Sequence, residues 1–122
     1  IDLEGTGETI KTKADEDPMV AEEGLHWFAG LYRAGADVRD PLVSPLYADL
    51  SGLPPMLIQV GSAEILLDDS NRLAEKARAA GVDVTLEVWD RMPHVWHLFQ
   101  PILSEGDDAI AKLGHWARER TA

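Results

Sequence analysis

The stretch "MPHVWHLF", residues 92–99, sets two histidines three positions apart among a proline, a tryptophan and large apolar residues. Imidazole is the side chain best suited to moving a proton near neutral pH. A carboxylate bonded to one ring nitrogen fixes the tautomer and supports the imidazolium formed when the other nitrogen takes a proton. Such carboxylates stand in "GSAEILLDD", residues 61–69, as Glu64, Asp68 and Asp69. Beside a hydroxyl, His94 held by Glu64 would be a general base for a nucleophile. The serines are Ser44, Ser51, Ser62, Ser70 and Ser104, and none lies in the G-x-S-x-G pattern that presents a nucleophile on a sharp turn. Ser62 comes nearest, but it precedes the acid in the same loop and lacks the trailing glycine. Acid and base are therefore offered without a nucleophile. His97 is expected to pack or to hydrogen-bond. A metal pair of His94 and His97 is not expected, because no third neutral ligand stands nearby and the chain has no cysteine. Asp68 and Asp69 read as anions at a helix start, where the dipole favours them. His26 and His115 read as surface or edge residues, and Trp89 and Trp96 as covers for apolar surface.

The acid and the imidazole can meet only if the backbone carries their loops to one edge. "MLIQVG", residues 56–61, is a short apolar run closed by glycine, the pattern of a buried parallel strand. "LLDDSNRLAEKARAAG" has Leu66, Leu73, Ala77 and Ala80 at helical spacing, an Asp68–Arg72 pair at i,i+4 and Gly81 at its end. "VDVTLEVWD" alternates, with Val82, Val84, Leu86 and Val88 on one face and Asp83, Thr85, Glu87 and Trp89 on the other. Strand, helix and strand at this spacing make a βαβ unit, hence a parallel pair with a crossover helix. In open α/β sheets ligands bind beyond the carboxyl ends of the strands, where Glu64 and His94 would both stand.

The flanking segments are read the same way. Residues 1–16 are polar, with a strand end expected at Ile1–Leu3 and a loop after it. A helix is expected from Asp17-Pro18, with Asp as cap and Pro in the first turn. It would carry Val20, Trp27, Phe28 and Leu31 on one face and end at Gly35. Residues 36–55 hold four of the prolines, so an irregular connection pressed onto the core is expected. "SEGDDAIAKLGHWARERTA" reads as a C-terminal helix capped by Ser104, with Ile110, Leu113 and Ala117 facing inward. The strand "MLIQV" is apolar on both faces and wants a neighbour on each side, while the chain supplies one. A larger sheet is the expectation.

Bulk composition narrows the function classes. The 122 residues are 45% hydrophobic and 27% charged, which is globular rather than disordered. A net charge of −11 argues against nucleic-acid and anionic-membrane partners. No run approaches the ~18 apolar residues of a membrane span. The opening "IDLEGTGETI" lacks the basic-then-apolar order of a secretory leader, and the cytoplasm is the expected location.

The run from Asp40 to Phe99, "DPLVSPLYADLSGLPPMLIQVGSAEILLDDSNRLAEKARAAGVDVTLEVWDRMPHVWHLF", resembles the C-terminal part of the hormone-sensitive-lipase-like branch of α/β-hydrolases, the bacterial family IV carboxylesterases. The combination of DP-x-x-SPL-x-ADL-x-GLPP, the strand, the acid loop and H-x-W carries it. The resemblance implies a Ser-acid-His triad with Glu64 as acid and His94 as base. The family's usual acid is Asp before Pro-Leu, where this chain has Glu64-Ile65-Leu66, and Asp68 is the reserve acid. It implies residues 1–13 as the end of a core strand and loop, 14–36 as part of a helical cap, and 37–122 as the C-terminal part of the hydrolase core. Trp27, Phe28 and Tyr32 would then line an acyl pocket. The serine and the oxyanion hole would come from an N-terminal part of the same hydrolase. Substrates would be short- to medium-chain acyl esters, no cofactor would be used, and the last strand would pair across a homodimer. The rival expectation is an inactive fragment or a self-associating interaction module. A hydrolase-fold protein cleaving amides would carry the same residues.

Overall fold

The computed structural model describes residues 1–121. Two parallel strands, β1 (Met56–Gly61) and β2 (Val84–Trp89), pair in register from Met56 opposite Val84 to Gly61 opposite Trp89. Before them lie α1 (Thr9–Thr12) and α2 (Glu22–Arg33); α3 (Leu67–Ala79) crosses between the strands and α4 (Ser104–Thr121) follows them. Short 3₁₀ turns occur at Pro45–Tyr47 and Trp96–Phe99.

Strand alternation decides which helix covers which face. Met56, Ile58, Val84 and Leu86 pack with Leu50, Leu73, Ala74, Ala77 and Val82 on the α3 side. Ala74 and Ala77 are fully buried, and their small side chains let α3 lie close to the sheet. The opposite face carries Gln59 and Glu87, which reach α4 through the Ala109 carbonyl and Lys112. The βαβ unit thus forms as its sequence pattern requires, and it brings both loops at the carboxyl ends of the strands to one rim.

Elsewhere several expectations are corrected. Ile1–Leu3 joins no ladder; instead Asp2 takes N–H groups from Glu4 and Thr6 and a hydrogen bond from Arg72. That contact also replaces the expected Asp68–Arg72 pair. Asp17 does not cap α2, which starts at Glu22. Its Oδ1 accepts the Met19 and Val20 N–H groups in a separate turn. At the other end of α2 the left-handed turn begins at Ala34 (φ +47°), one residue before Gly35. The connection 36–55 is irregular as expected apart from its 3₁₀ turn, and its own Ser44, Leu46 and Leu50 are buried. On α4 the inward residues are Gly106 and Ala109, not Ile110, Leu113 and Ala117. A Cβ on Gly106 would stand 2.9 Å from the Gln100 Cα, so the helix seats by its smallest residues and turns its large ones outward.

Candidate active site

The two rim loops are bonded to each other independently of the acid and the imidazole. The Ser62 N–H donates to the Trp89 carbonyl (2.9 Å), the Ala63 N–H to the Met92 carbonyl (3.2 Å), and the Arg91 N–H to Ser62 Oγ (2.8 Å). Gly61 lies where they touch. A Cβ there would fall 1.9 Å from the Met92 carbonyl oxygen, so only glycine permits the approach. After the histidine, Val95 adopts φ +48°, costly for a β-branched residue, and turns the chain into the 3₁₀ segment.

Within this frame Glu64 is buried and fully engaged. Its Oε1 accepts the Gly61 N–H at 2.7 Å and its Oε2 meets His94 Nδ1 at 2.6 Å. A carboxylate can only accept here, so the proton of a neutral His94 is assigned to Nδ1 and Nε2 carries the lone pair. Nε2 has no hydrogen-bond partner among the described residues. The Glu64 hydrogen bond raises the His94 pKa above its ordinary value; burial opposes this, and the charges of Glu64 and Asp17 add to it. An imidazole so placed is a stronger base whose cation is stabilised in advance. His94 opens onto a cavity lined by Ile58, Val60, Leu66, Ser70 and Leu73.

Other expected residues fall as follows. Asp68 stays with the helix start, its Oδ2 accepting the Thr9 N–H at 3.1 Å, so the acid brought to His94 is Glu64 and not the reserve. Asp69 is buried beside the Asp2 N–H, and burial raises its pKa. His97 donates from Nε2 to Gln59 Oε1 at 2.8 Å, because the Gln59 amide nitrogen is committed to Glu87 and the Ala109 carbonyl. Burial lowers the His97 pKa, and its ring stacks 4.1 Å from that of buried Trp96. Phe28 and Tyr32 line a second cavity with Leu25, Leu66 and Asp69, while Trp27 packs edge-on against Phe28 at 4.7 Å and does not line it. Of the serines, Ser44 accepts the Leu3 N–H and Ser62 the Arg91 N–H; Ser70 shares the His94 cavity but makes no hydrogen bond to the ring. Among the described residues no group of three or more metal-ligating side chains occurs and no helix is long and apolar enough to cross a membrane.

Three site residues escaped the sequence reading. The glycine ending β1 was visible as punctuation, but its contact with Met92 depends on the loop meeting it. Asp17 reaches across 48 positions to accept the Ile65 N–H at 2.9 Å, which no local pattern signals. Ser62, weighed as a nucleophile, instead ties the two loops together.

Comparison with known proteins gives a consistent set of matches. Residues 2–98 match the family profile described as alpha/beta hydrolase fold. An acetyl-hydrolase of Streptomyces hygroscopicus is 44% identical over 120 residues, covering 98% of this chain and 40% of that protein. An esterase of Acinetobacter venetianus is 38% identical over 122 residues, covering 96% of this chain and 39% of that protein. The crystal structure of an esterase from the bacterial hormone-sensitive lipase family superposes with a TM-score of 0.98 at 54% identity, over 100% of this chain and 41% of that one. EstE5, from a crystal soaked with p-nitrophenyl butyrate, superposes with a TM-score of 0.93 at 50% identity, over 97% of this chain and 40% of that one. The chain therefore spans about 40% of the length of these relatives.

Proposed function

The chain belongs to the α/β-hydrolase fold family, and from that membership we propose that it forms the C-terminal part of a serine carboxylesterase. The observation that carries the reading is the bond from Glu64 to His94 Nδ1, with Nε2 left open. Residues 1–13 then belong to the core, 14–36 to a cap over the acyl pocket, and 37–122 to the rest of the core. The nucleophilic serine and the oxyanion hole belong to the preceding part of the same hydrolase. The esterase and acetyl-hydrolase names of the relatives support the ester class, with short- to medium-chain acyl esters as substrates. Phe28 and Tyr32, with Trp27 behind them, are the proposed cap wall. The outer edge of β2, which has no strand beyond it among the described residues, is the proposed seam of a homodimer.

The proton path follows from the geometry. His94 Nε2 takes the serine proton as the serine oxygen bonds to the ester carbonyl carbon. The imidazolium then protonates the leaving alkoxide as the carbon–oxygen ester bond breaks, giving an acyl-enzyme and free alcohol. Water repeats the sequence, returning serine and carboxylic acid. Glu64 accepts the Nδ1–H hydrogen bond throughout and holds the ring.

The test uses the intact protein that contains this chain and p-nitrophenyl butyrate as substrate. His94→Ala is expected to lower kcat by about 10³-fold or more and Glu64→Gln by about 10²-fold or more, with KM little changed. Activity needs neutral His94, so it is lost as pH falls through the raised pKa. The acid limb of the kcat/KM profile should lie above the ordinary imidazole value and move down in Glu64→Gln. Undiminished hydrolysis by His94→Ala would falsify the assignment.

A further inference from the structure

We propose that Asp17 is a positioning residue for the Glu64–His94 pair, holding the acid loop from the side of the cap segment. The inference rests on the esterase reading and adds to it a residue from the segment that precedes α2. One carboxylate serves two places in the chain. Its Oδ1 accepts the N–H groups of Met19 (2.8 Å) and Val20 (2.9 Å), which fixes the turn leading into α2. Its Oδ2 accepts the N–H of Ile65 (2.9 Å), the residue directly after the acid.

The acid loop is thereby held from two sides. Toward the histidine, Ser62 and Ala63 donate to the backbone of the loop after β2. Toward the N-terminal segments, the Ile65 N–H donates to Asp17, and the Ile65 carbonyl accepts from the Thr9 hydroxyl at 2.9 Å. Ile65 is itself among the most buried residues of the molecule, while its N–H bond to half-buried Asp17 is only partly buried, so removing Asp17 takes away the fixed protein acceptor of that N–H. Freeing that N–H loosens the backbone that aims Glu64, and a small misplacement of a catalytic pair is expensive. Asp17 also adds a negative charge on the side of His94, in the direction that stabilises an imidazolium. Among the described residues, the titratable groups near that ring or its cavity include Glu64 from the acid loop, Asp17 from the cap segment, Asp69 from α3, His97 from the 3₁₀ turn and the Ile1 amino group. No lysine or arginine lines its cavity.

The same carboxylate thus joins the site to the segment that carries Phe28 and Tyr32. A shift of that segment and a shift of the acid loop cannot be independent while Asp17 bonds both.

The experiment measures kcat, KM, the pH profile of kcat/KM and thermal unfolding of the intact protein for Asp17→Asn and Asp17→Ala, with His94→Ala in parallel. Asparagine keeps the shape and an acceptor oxygen but not the charge. The expected result is a kcat lowered about threefold in Asp17→Asn and about tenfold in Asp17→Ala, KM within about twofold, and an acid limb displaced to lower pH in both. A lowered unfolding temperature with kcat and acid limb unchanged would overturn the proposal, since Asp17 would then only support the fold. So would a rise in KM alone. Should Asp17→Ala not fold, Asp17→Asn decides by the same two readouts. Activity retained in His94→Ala defeats the esterase site itself; activity lost there but normal in both Asp17 variants defeats only the role of Asp17.

Discussion

At the scale of single residues, the site is built by contacts that exclude alternatives. Gly61 makes the point most sharply, because a single added carbon would overlap the Met92 carbonyl oxygen, a backbone atom that cannot rotate away. Gly61→Ala is expected to lower the stability of the intact protein by about 3 kcal/mol or more, and to lower esterase activity beyond what the unfolded fraction explains, since the two rim loops must part. Thermal unfolding with activity assayed well below the transition separates the two effects. A variant with normal melting and normal turnover would show that the loops do not need this approach. The meeting of Glu64 with His94 was legible in the sequence because a strand, a helix and a strand leave few places for the loops to go. Asp17 and Gly61 were not, because their partners lie on segments whose meeting depends on the folded backbone.

At the scale of elements, local pattern sufficed where a segment is covered by neighbours inside the chain and failed where it is not. Strands β1 and β2 and helix α3 bury one another, and periodicity named Leu73, Ala77, Val82, Val84 and Leu86 on the covered faces, though it missed fully buried Ala74 and included Val88, which is 49% exposed. On α4 the stripe of large apolar residues pointed to Ile110 and Leu113, yet both are exposed and the seat is made by Gly106 and Ala109. Hydrophobic periodicity finds an apolar stripe but not the neighbour it meets. The N-terminal segment depends on charge instead. Asp2 is buried, and burial alone would raise its pKa. The side-chain and backbone hydrogen bonds of Thr6 and the Arg72 guanidinium outweigh this and hold it at about 2, against an ordinary 3.8. A depressed carboxylate pKa means stability that is fully present above the unfolded value and is lost as pH falls through the folded one. Asp2→Asn is therefore expected to cost up to roughly 2 kcal/mol at pH 7. The penalty should shrink between pH 4 and pH 2, the window set by those two pKa values. Denaturant unfolding of both proteins across that range checks it, and a penalty independent of pH would assign the effect to lost hydrogen-bond geometry rather than charge.

At the scale of the whole molecule, the described residues bury too little to account for their own apolar content. Trp27, Phe28 and Tyr32 on α2 are 61%, 65% and 68% exposed, and Leu98 and Ile102 beside α4 are more so. Among the described residues the two-stranded sheet leaves one open edge on each strand, with unpaired backbone groups that a further strand would cover. Large exposed apolar patches mark surfaces made to be covered. The Glu64–His94 pair has the same character, with a ring whose Nε2 meets no hydroxyl among the described residues. The 122-residue chain by itself is accordingly expected to hydrolyse p-nitrophenyl butyrate no faster than buffer. Adding the preceding part of the hydrolase as a separate polypeptide is expected to restore turnover, and His94→Ala in the added chain to abolish it. Turnover by the isolated chain that His94→Ala removes would mean that one of its own serines, Ser70 foremost because it shares the cavity, serves as nucleophile. A discrete dimer in sedimentation that stays inactive with the preceding part bound would instead favour the self-associating module. The two readings separate because an esterase half needs its apolar faces covered by a part that also brings the alcohol, whereas a module needs only a second copy of itself.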